Sequence, residues 1–234
     1  MILVSDQLKA LREKIVNACI HAGRKTEEVE LIGVTKFVPK TLVLEAIAAG
    51  VKKIGESRVQ ESIEKYAAIH ETCPNIEWHM IGGLQRNKAS RAIEIFDLIQ
   101  SLDSLKLAAA LDRHAHELGK IQECLVELKV STEQSKSGVS PAELENFLSA
   151  LEIFKNLRVC GLMLMAPYAP NPDNARPYFA QGRKIFERHL IPKCKTANMV
   201  PILSMGMSND FEAAIEEGST MVRIGTALFG ARNL

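Results

Sequence analysis

The sequence lacks an excess of charge of either sign. Its 29 Lys and Arg residues nearly balance its 28 Asp and Glu residues, and the formal net charge is +1 at pH 7. A protein without a dominant charge does not steer polyanions toward its surface, because long-range attraction depends on the summed field. We therefore expect neither nucleic acid nor an anionic membrane as a partner.

Cysteine is scarce and is not arranged in pairs. None of the five cysteines forms a Cys-x-x-Cys motif, and their number is odd. This pattern argues against a disulfide framework or a thiolate metal site and is typical of a reducing compartment. The cysteines are Cys19, Cys73, Cys124, Cys160 and Cys194. We expect most of them to be small buried apolar side chains, and we expect no bound metal.

Long apolar runs are also absent. No segment approaches the ~20 apolar residues that a membrane span needs. Residues 1–6 lack the basic start and apolar stretch of a signal peptide. We therefore expect a cytoplasmic protein that makes no membrane contact.

Eight strand-like segments alternate with helical patterns, after an opening helix at 5–24. The predicted strands are 31–36, 52–56, 77–82, 98–103, 124–130, 159–165, 202–206 and 221–226. Strands that alternate with helices pair in parallel, and this length is close to the ~250 residues of a (β/α)₈ barrel. We predict an α/β fold: one (β/α)₈ TIM-barrel domain over residues 1–234 with an extra N-terminal helix. A doubly wound sheet is the alternative, disfavoured because no Gly-x-Gly-x-x-Gly follows a strand.

The residues at or near the ends of the predicted strands, where a TIM barrel carries its chemistry, are mostly polar. They are Lys36, Glu56, His79, Asp103, Ser131, Met165, Ser204 and Arg223, of which only Met165 is apolar. A lysine after a strand is usually a solvated surface charge. Lys36 is more interesting because it falls on the same rim as Arg223. His79 has two interpretations, a proton shuttle or a packed, hydrogen-bonded histidine, and the second is favoured because no carboxylate partner is evident.

The last two strands end in residues that favour an anion. Gly225 and Thr226 offer backbone N–H groups and a hydroxyl, and Ser208 adds a hydroxyl before the next helix. Phosphate sites in TIM barrels commonly lie after strands seven and eight. The alternative is that Ser208 is only a helix cap and Gly225 only a turn. Together with a lysine amine, such a nest suits pyridoxal 5′-phosphate (PLP), a phosphorylated aldehyde.

Arg223 lies between two apolar residues in the last strand, so its side chain points either into the barrel or toward the helices. It either forms a structural pair with a carboxylate or faces the pyridine nitrogen of the cofactor. Because arginine only donates hydrogen bonds, it would leave that nitrogen unprotonated. PLP with a neutral pyridine ring is a weaker electron sink, which would limit carbanion chemistry.

Seven ordered blocks of sequence resemble the pyridoxal-phosphate homeostasis proteins (the YggS/PROSC group), which are similar to the barrel domain of alanine racemase. The blocks are Val34-Thr35-Lys36, the run 55–61 (GESRVQE), the run 78–88 (WHMIGGLQRNK), Lys136-Ser137-Gly138, Gly161-Leu162-Met163, the run 204–210 (SMGMSND) and the run 218–226 (GSTMVRIGT).

The resemblance implies a fold-type III PLP-binding barrel in which Lys36 forms the internal aldimine. It also implies that Arg223 faces the pyridine nitrogen and that Ser208, Gly225 and Thr226 hold the phosphate. We expect Ser204 to belong to the same cofactor site. One departure is Ser57, where many members carry Asn after the Gly-Glu pair.

Three functions fit these residues: a PLP carrier that contributes to intracellular vitamin B6 homeostasis, an amino-acid racemase, or another Schiff-base barrel enzyme. A racemase needs an acid or base on each face of the α-carbon. Racemases resembling this barrel take a tyrosine from an added β-domain, which we expect this chain to lack. Its tyrosines are Tyr66, Tyr168 and Tyr178. We therefore expect a monomeric carrier with no dedicated turnover, with PLP-requiring enzymes as acceptors.

Overall fold

The structure, a computed structural model, describes residues 3–131 and 137–230, so Lys136 lies outside the described residues. The strands are β1 (Glu30–Val34), β2 (Lys53–Glu56), β3 (Glu77–Met80), β4 (Leu98–Leu102), β5 (Gln122–Leu128), β6 (Leu157–Leu164), β7 (Ile202–Met207) and β8 (Met221–Ile224). The α-helices are α1 (Val4–His21), α2 (Lys40–Ala48), α3 (Val59–His70), α4 (Ala89–Ile95), α5 (Leu105–Glu117), α6 (Leu144–Ala150), α7 (Arg176–Thr196), α8 (Phe211–Glu216) and α9 (Thr226–Phe229).

The strands form a closed parallel barrel in the order β1 to β8. Strand β1 pairs with β8 as well as with β2, and Ile32 is the register partner of Arg223. The predicted (β/α)₈ TIM barrel is confirmed, including the extra helix α1, which packs on α8 and α9. Because the strands are parallel, all their carboxyl ends meet at one opening, which we call the mouth.

Most predicted strand bounds differ from the structure by one or two residues, and the end of β1 bears on the site. Strand β1 ends at Val34, two residues before Lys36, which lies in a turn together with Phe37. Phe37 has a φ of 57°, a left-handed conformation that cannot continue a strand. Helix α7 continues through Pro192 to Thr196, and its buried face extends to Cys194.

Apolar side chains fill the layer between the sheet and the helices. The largest fully buried ones there include Trp78, Phe96 and Phe179. Cys19, Cys124, Cys160 and Cys194 are buried and unpaired, as expected, whereas Cys73 is partly exposed. Among the described residues, no helix is both long enough and apolar enough to cross a bilayer.

The barrel interior changes from apolar to polar toward the mouth. A small cluster of Ile32, Leu98, Leu125, Cys160, Met163 and Met221 packs inside it. On three strands, the residue two positions closer to the mouth on the same face is polar. These residues are Gln100 after Leu98, Glu127 after Leu125, and Arg223 after Met221. Each of these three polar residues is buried. Since side chains alternate along a strand, this two-residue step keeps them inside the barrel.

Candidate functional site

Lys36 lies in the turn that follows β1 at the mouth. The preceding residue is still anchored to the neighbouring strand, because the Thr35 N–H donates to the Gly55 carbonyl over 3.0 Å. The Lys36 side chain is only partly exposed. Within residues 3–131 and 137–230, it has neither a hydrogen bond nor an ion pair. A half-buried amine without a partner is open to a ligand.

The backbone beneath Lys36 is held by a buried cluster of three side chains, which we call the Thr35 clamp. The Thr35 hydroxyl donates to Glu56 Oε1 over 2.6 Å. Lys65 Nζ donates to the same oxygen over 2.8 Å and to the Thr35 carbonyl over 2.5 Å. Thr35 therefore has its hydroxyl and carbonyl fixed, which fixes where the chain turns into Lys36.

Glu56 ends β2 at the carboxyl end of the strand, as predicted, but its side chain does not face the mouth. It is fully buried and faces the helix layer toward Lys65 of α3. The reason is alternation: Glu56 shares its strand face with Ile54, which packs against the helices. The lysine that neutralises it lies on α3, and nothing in the strand sequence points to it.

Arg223 points into the barrel and is only 4% exposed. Its Nη1 donates to Ser204 Oγ over 2.7 Å and its Nη2 to the Leu164 carbonyl over 3.0 Å. Across the described part of the chain, these neutral oxygens are its only hydrogen-bond acceptors, and no carboxylate pairs with it. A guanidinium has five N–H donors, so further donors are left for a ligand.

Two buried acids lie near enough to influence the charge of Arg223. Burial lowers the pKa of Arg223 to about 10, while Asp210 and Glu127 act in the opposite direction. Burial raises the pKa of both acids, and Arg223 counteracts part of that rise. Asp210 also accepts the Met207 N–H over 2.6 Å, and Glu127 accepts the Ser137 hydroxyl over 2.9 Å. The mouth therefore holds a cation that stays charged at neutral pH.

Ser204 is buried below Arg223, and both of its hydroxyl interactions are used within the protein. Its oxygen accepts from Arg223, and its O–H donates to Gln100 Oε1 over 2.7 Å. Gln100 Nε2 in turn lies 3.0 Å from His79 Nδ1. The structure thus joins Ser204 to Arg223, whereas its direct contact with a cofactor stays a prediction.

His79 is 1% exposed and lies inside β3. Its Nε2 lies 3.5 Å from Glu77 Oε2, so a carboxylate partner exists that the sequence did not reveal. Burial lowers the pKa of His79, which keeps the ring neutral. The packed, hydrogen-bonded interpretation of this histidine is confirmed.

The ends of β7 and β8 come together around Ser208. Its hydroxyl oxygen accepts the N–H groups of Gly225 and Ala227, each over 3.2 Å, so its own O–H remains to be donated. Thr226 is exposed and opens α9, so its N–H has no partner within that helix. Gly206 has a φ of +93°, and a Cβ there would lie 2.5 Å from Ala214 Cβ, so only glycine fits.

These contacts bring the expected residues to one end of the barrel. Lys36 follows β1, and Gly225 and Thr226 follow β8, the strand hydrogen-bonded to β1. Ser208 is tied to this group through its hydroxyl. The donor set suits PLP: the unpaired Lys36 amine for an aldehyde, the Ser208 hydroxyl and the Thr226 N–H for a phosphate, and guanidinium N–H groups for a ring nitrogen. The Gly225 N–H is already donated to Ser208 Oγ.

The fold and this mouth define a barrel of the alanine racemase type. A family model described as "Alanine racemase, N-terminal domain" matches residues 7–233. The chain belongs to the pyridoxal phosphate homeostasis protein family. It is 41% identical over 227 residues to the pyridoxal phosphate homeostasis protein of Aquifex aeolicus (strain VF5), covering 97% of each chain. It is 39% identical over 232 residues to that of Escherichia coli (strain K12), covering 98% of this chain and 97% of the other.

Solved structures agree with this assignment. The chain resembles PipY of Synechococcus elongatus PCC7942 with PLP bound, with a TM-score of 0.82 and 36% identity over 97% of this chain and 100% of PipY. Alanine racemase from Clostridium difficile 630 gives a TM-score of 0.68 at 16% identity, covering 98% of this chain and 58% of the racemase. At that identity the likeness concerns the fold alone.

Sequence reasoning missed Lys65 and Gln100. Gln100 had a signal, because a polar residue in the apolar run 98–102 shares its strand face with buried Leu98. Lys65 had none, since it is one of several charged residues on an amphipathic helix.

Proposed function

We propose that this chain binds PLP and that Lys36 forms the covalent C=N bond with its aldehyde. The single observation that carries the proposal is the unpaired, half-buried Lys36 amine at the mouth shared with Arg223 and Ser208. Ser208, Gly225 and Thr226 would bind the phosphate, and Arg223 would donate to the pyridine nitrogen. Bound PLP supplies an aldehyde and a conjugated ring that can accept electrons.

We further propose that the protein is a carrier that holds PLP for PLP-requiring enzymes and has no dedicated turnover. The names of the relatives, which are homeostasis proteins, support this role. The electrostatics support it as well. Arg223 keeps its proton at neutral pH, so it donates to the ring nitrogen instead of protonating it, and the ring withdraws fewer electrons from an attached amino acid.

The second candidate is an amino-acid racemase, favoured by the family-wide likeness to the alanine racemase barrel. It needs a second acid or base opposite Lys36. Tyr66 stacks on His70 in the helix layer, and Tyr178 packs against the outer core. Tyr168 is 80% exposed in the loop after β6. None of these tyrosines lies inside the barrel, and the carrier is therefore the better supported function.

A spectrum of the pure protein with added PLP tests the proposal. We expect an imine absorbance that borohydride fixes, and peptide mapping should place the reduced adduct on Lys36. Lys36→Ala should lose the adduct while keeping weaker, phosphate-anchored binding. Lys40→Ala, which changes an exposed lysine at the start of α2, is the matched control and should keep the adduct.

Two results would contradict the proposal. An adduct that persists in Lys36→Ala would assign the covalent bond to another amine. Inversion of an amino acid well above the rate with free PLP, and dependent on Lys36, would make the protein a racemase instead of a carrier.

A further inference from the structure

A row of hydrogen bonds crosses the barrel interior from the mouth to the opposite end. We call this row the relay. It starts at Arg223 and passes through Ser204, Gln100 and His79 to Glu77. The successive distances are 2.7, 2.7, 3.0 and 3.5 Å. Glu77 is the first residue of β3, at the amino-terminal end of the barrel, and it pairs with Lys53 over 2.5 Å.

The chemistry of arginine fixes the direction of every bond in the relay. Arg223 has no acceptor atom, so the Ser204 oxygen must accept from it. The Ser204 proton then goes to the Gln100 carbonyl oxygen, which leaves the Gln100 NH₂ group facing His79. His79 Nδ1 must accept, so a neutral ring carries its proton on Nε2, where Glu77 is the acceptor.

The two ends of the relay carry opposite charges. Lone pairs point toward the guanidinium at the mouth, and protons point toward the carboxylate at the far end. Hydrogen bonds aligned in this way polarise one another in a low-dielectric interior. The pKa values agree with this arrangement: the hydrogen bond with His79 and then Lys53 lower the pKa of Glu77 to about 2, so the far end is ionised.

We propose that Ser204, Gln100, His79 and Glu77 are positioning residues that hold Arg223 as an oriented, charged donor toward the pyridine nitrogen of PLP. This inference rests on the proposed function, because it gives the relay a target only if PLP occupies the mouth. Asp210 and Glu127 act on the charge of Arg223 without bonding to it among the described residues, and the relay adds a hydrogen-bonded connection to a third carboxylate, Glu77. The state of the bound ring would then depend in part on a carboxylate at the other end of the barrel.

The Glu77 end offers a test that does not disturb the core. Glu77 has a half-exposed side chain (51%), so Glu77→Gln should fold. Glu123→Gln is the matched control: its carboxylate lies at the same barrel end, has a similar exposure of 44%, and pairs with Arg158 over 3.3 Å outside the relay. We expect Glu77→Gln to weaken PLP binding about threefold and to shift the imine absorbance, and Glu123→Gln to do neither.

The middle of the relay offers a second matched pair. Gln100 and Gln122 are both strand residues with 0% exposure, and the Gln122 side chain donates to the Asp97 and Glu123 carbonyls, outside the relay. Gln100→Met should raise the dissociation constant for PLP about tenfold, whereas Gln122→Met should leave it within about twofold of the parent value.

Nitrogen-15 NMR of the protein without PLP tests the relay on its own. The His79 signal, assigned by its loss in His79→Gln, should show Nδ1 unprotonated and Nε2 protonated. Gln100→Met should change the Nδ1 shift, and Glu77→Gln the Nε2 shift, whereas a histidine that is only packed would respond to neither.

The outcomes separate the relay from the proposed function. If the parent protein forms no imine with PLP, the proposed function fails and the inference fails with it. If the parent protein forms the imine but Glu77→Gln and Gln100→Met match their controls in affinity and absorbance, the relay does not act on the cofactor. A His79 proton on Nδ1 would overturn the direction of the relay.

Discussion

At the amino-terminal end of the barrel, Lys53 lies 2.5 Å from Glu77 and Arg158 lies 3.3 Å from Glu123. At the mouth, Arg223 is bonded only to neutral oxygens, and Lys36 has no partner in the described residues. The difference shows two uses of positive charge. Lys53 and Arg158 at the amino-terminal end are neutralised within the protein, whereas Lys36 and Arg223 at the mouth keep donors that no described residue uses.

Lys65 is the exception near the mouth and gives the largest expected effect. Lys65→Met would leave Glu56 as a buried carboxylate without its cation. We expect a loss of about 3–5 kcal/mol in the free energy of unfolding, because an uncompensated buried charge is costly. Urea denaturation measures this loss.

A double variant sharpens the first prediction. Adding Glu56→Gln to Lys65→Met should recover part of the lost stability, because the buried charge is then removed. Lys14→Met, which breaks an exposed pair with Glu212, is the control and should change stability by less than about 1 kcal/mol. Equal effects of Lys65→Met and Lys14→Met would show that the Thr35 clamp is no stronger than a surface pair.

A substitution of Arg223 tests whether the cations at the mouth contribute to ligand binding more than to the stability of the fold. Arg223→Met should weaken PLP binding about 100-fold through loss of a charge-assisted hydrogen bond. The stability of the PLP-free protein should change by only about 1 kcal/mol, because a buried guanidinium also carries a desolvation cost. Titration with PLP and urea denaturation measure the two quantities, and a parallel loss of both would remove the contrast between the barrel ends.

Acid should lower the stability of the protein by protonating Glu77 at the amino-terminal end of the barrel. The hydrogen bond with His79 and the ion pair with Lys53 lower the pKa of Glu77 from 4.5 to about 2. Because the folded-state pKa lies below the unfolded value, ionised Glu77 stabilises the fold above about pH 4.5, and this contribution disappears as the pH falls toward about 2. Glu77 is half-exposed and screened by solvent, so we expect a contribution of about 1 kcal/mol.

Denaturation midpoints at about pH 6 and about pH 3 check this dependence. In Glu77→Gln the difference between the two conditions should shrink. In Lys53→Met it should shrink less, because the bond with His79 remains. A pH dependence that is identical in all three proteins would contradict the assignment.

The exposed Arg158–Glu123 pair gives the smallest expected effect. Arg158→Met should change stability by about 0.5 kcal/mol or less, since solvent screens a pair of this exposure. PLP affinity should not change. A measurable loss of PLP affinity in this variant would show that any change of charge at the amino-terminal end affects binding at the mouth, and the relay would then not be a specific connection.

The fold could be predicted because alternating strand and helix patterns determine parallel pairing, and the chain length fits one barrel. The positions of Lys36 and Arg223 followed from that fold, because strand ends meet at the mouth. The relay could not be predicted, since Gln100 on β4 and Ser204 on β7 meet across the interior only through the tilt and register of the closed barrel. The direction of the Glu56 side chain could not be predicted from its place at a strand end, because the alternation of side chains along the strand decides which layer it faces.

The pairing of β1 with β8 has a consequence for the release of a ligand. No connecting segment runs directly between the first and last strands, which are joined by hydrogen bonds and side-chain packing, and Lys36 and Thr226 follow the two sides of that seam. A molecule attached to both residues would resist separation of the seam, so amide exchange along β1 and β8 should slow more on binding than exchange along β4 and β5. The rate at which the seam opens would then limit the lifetime of the bound ligand.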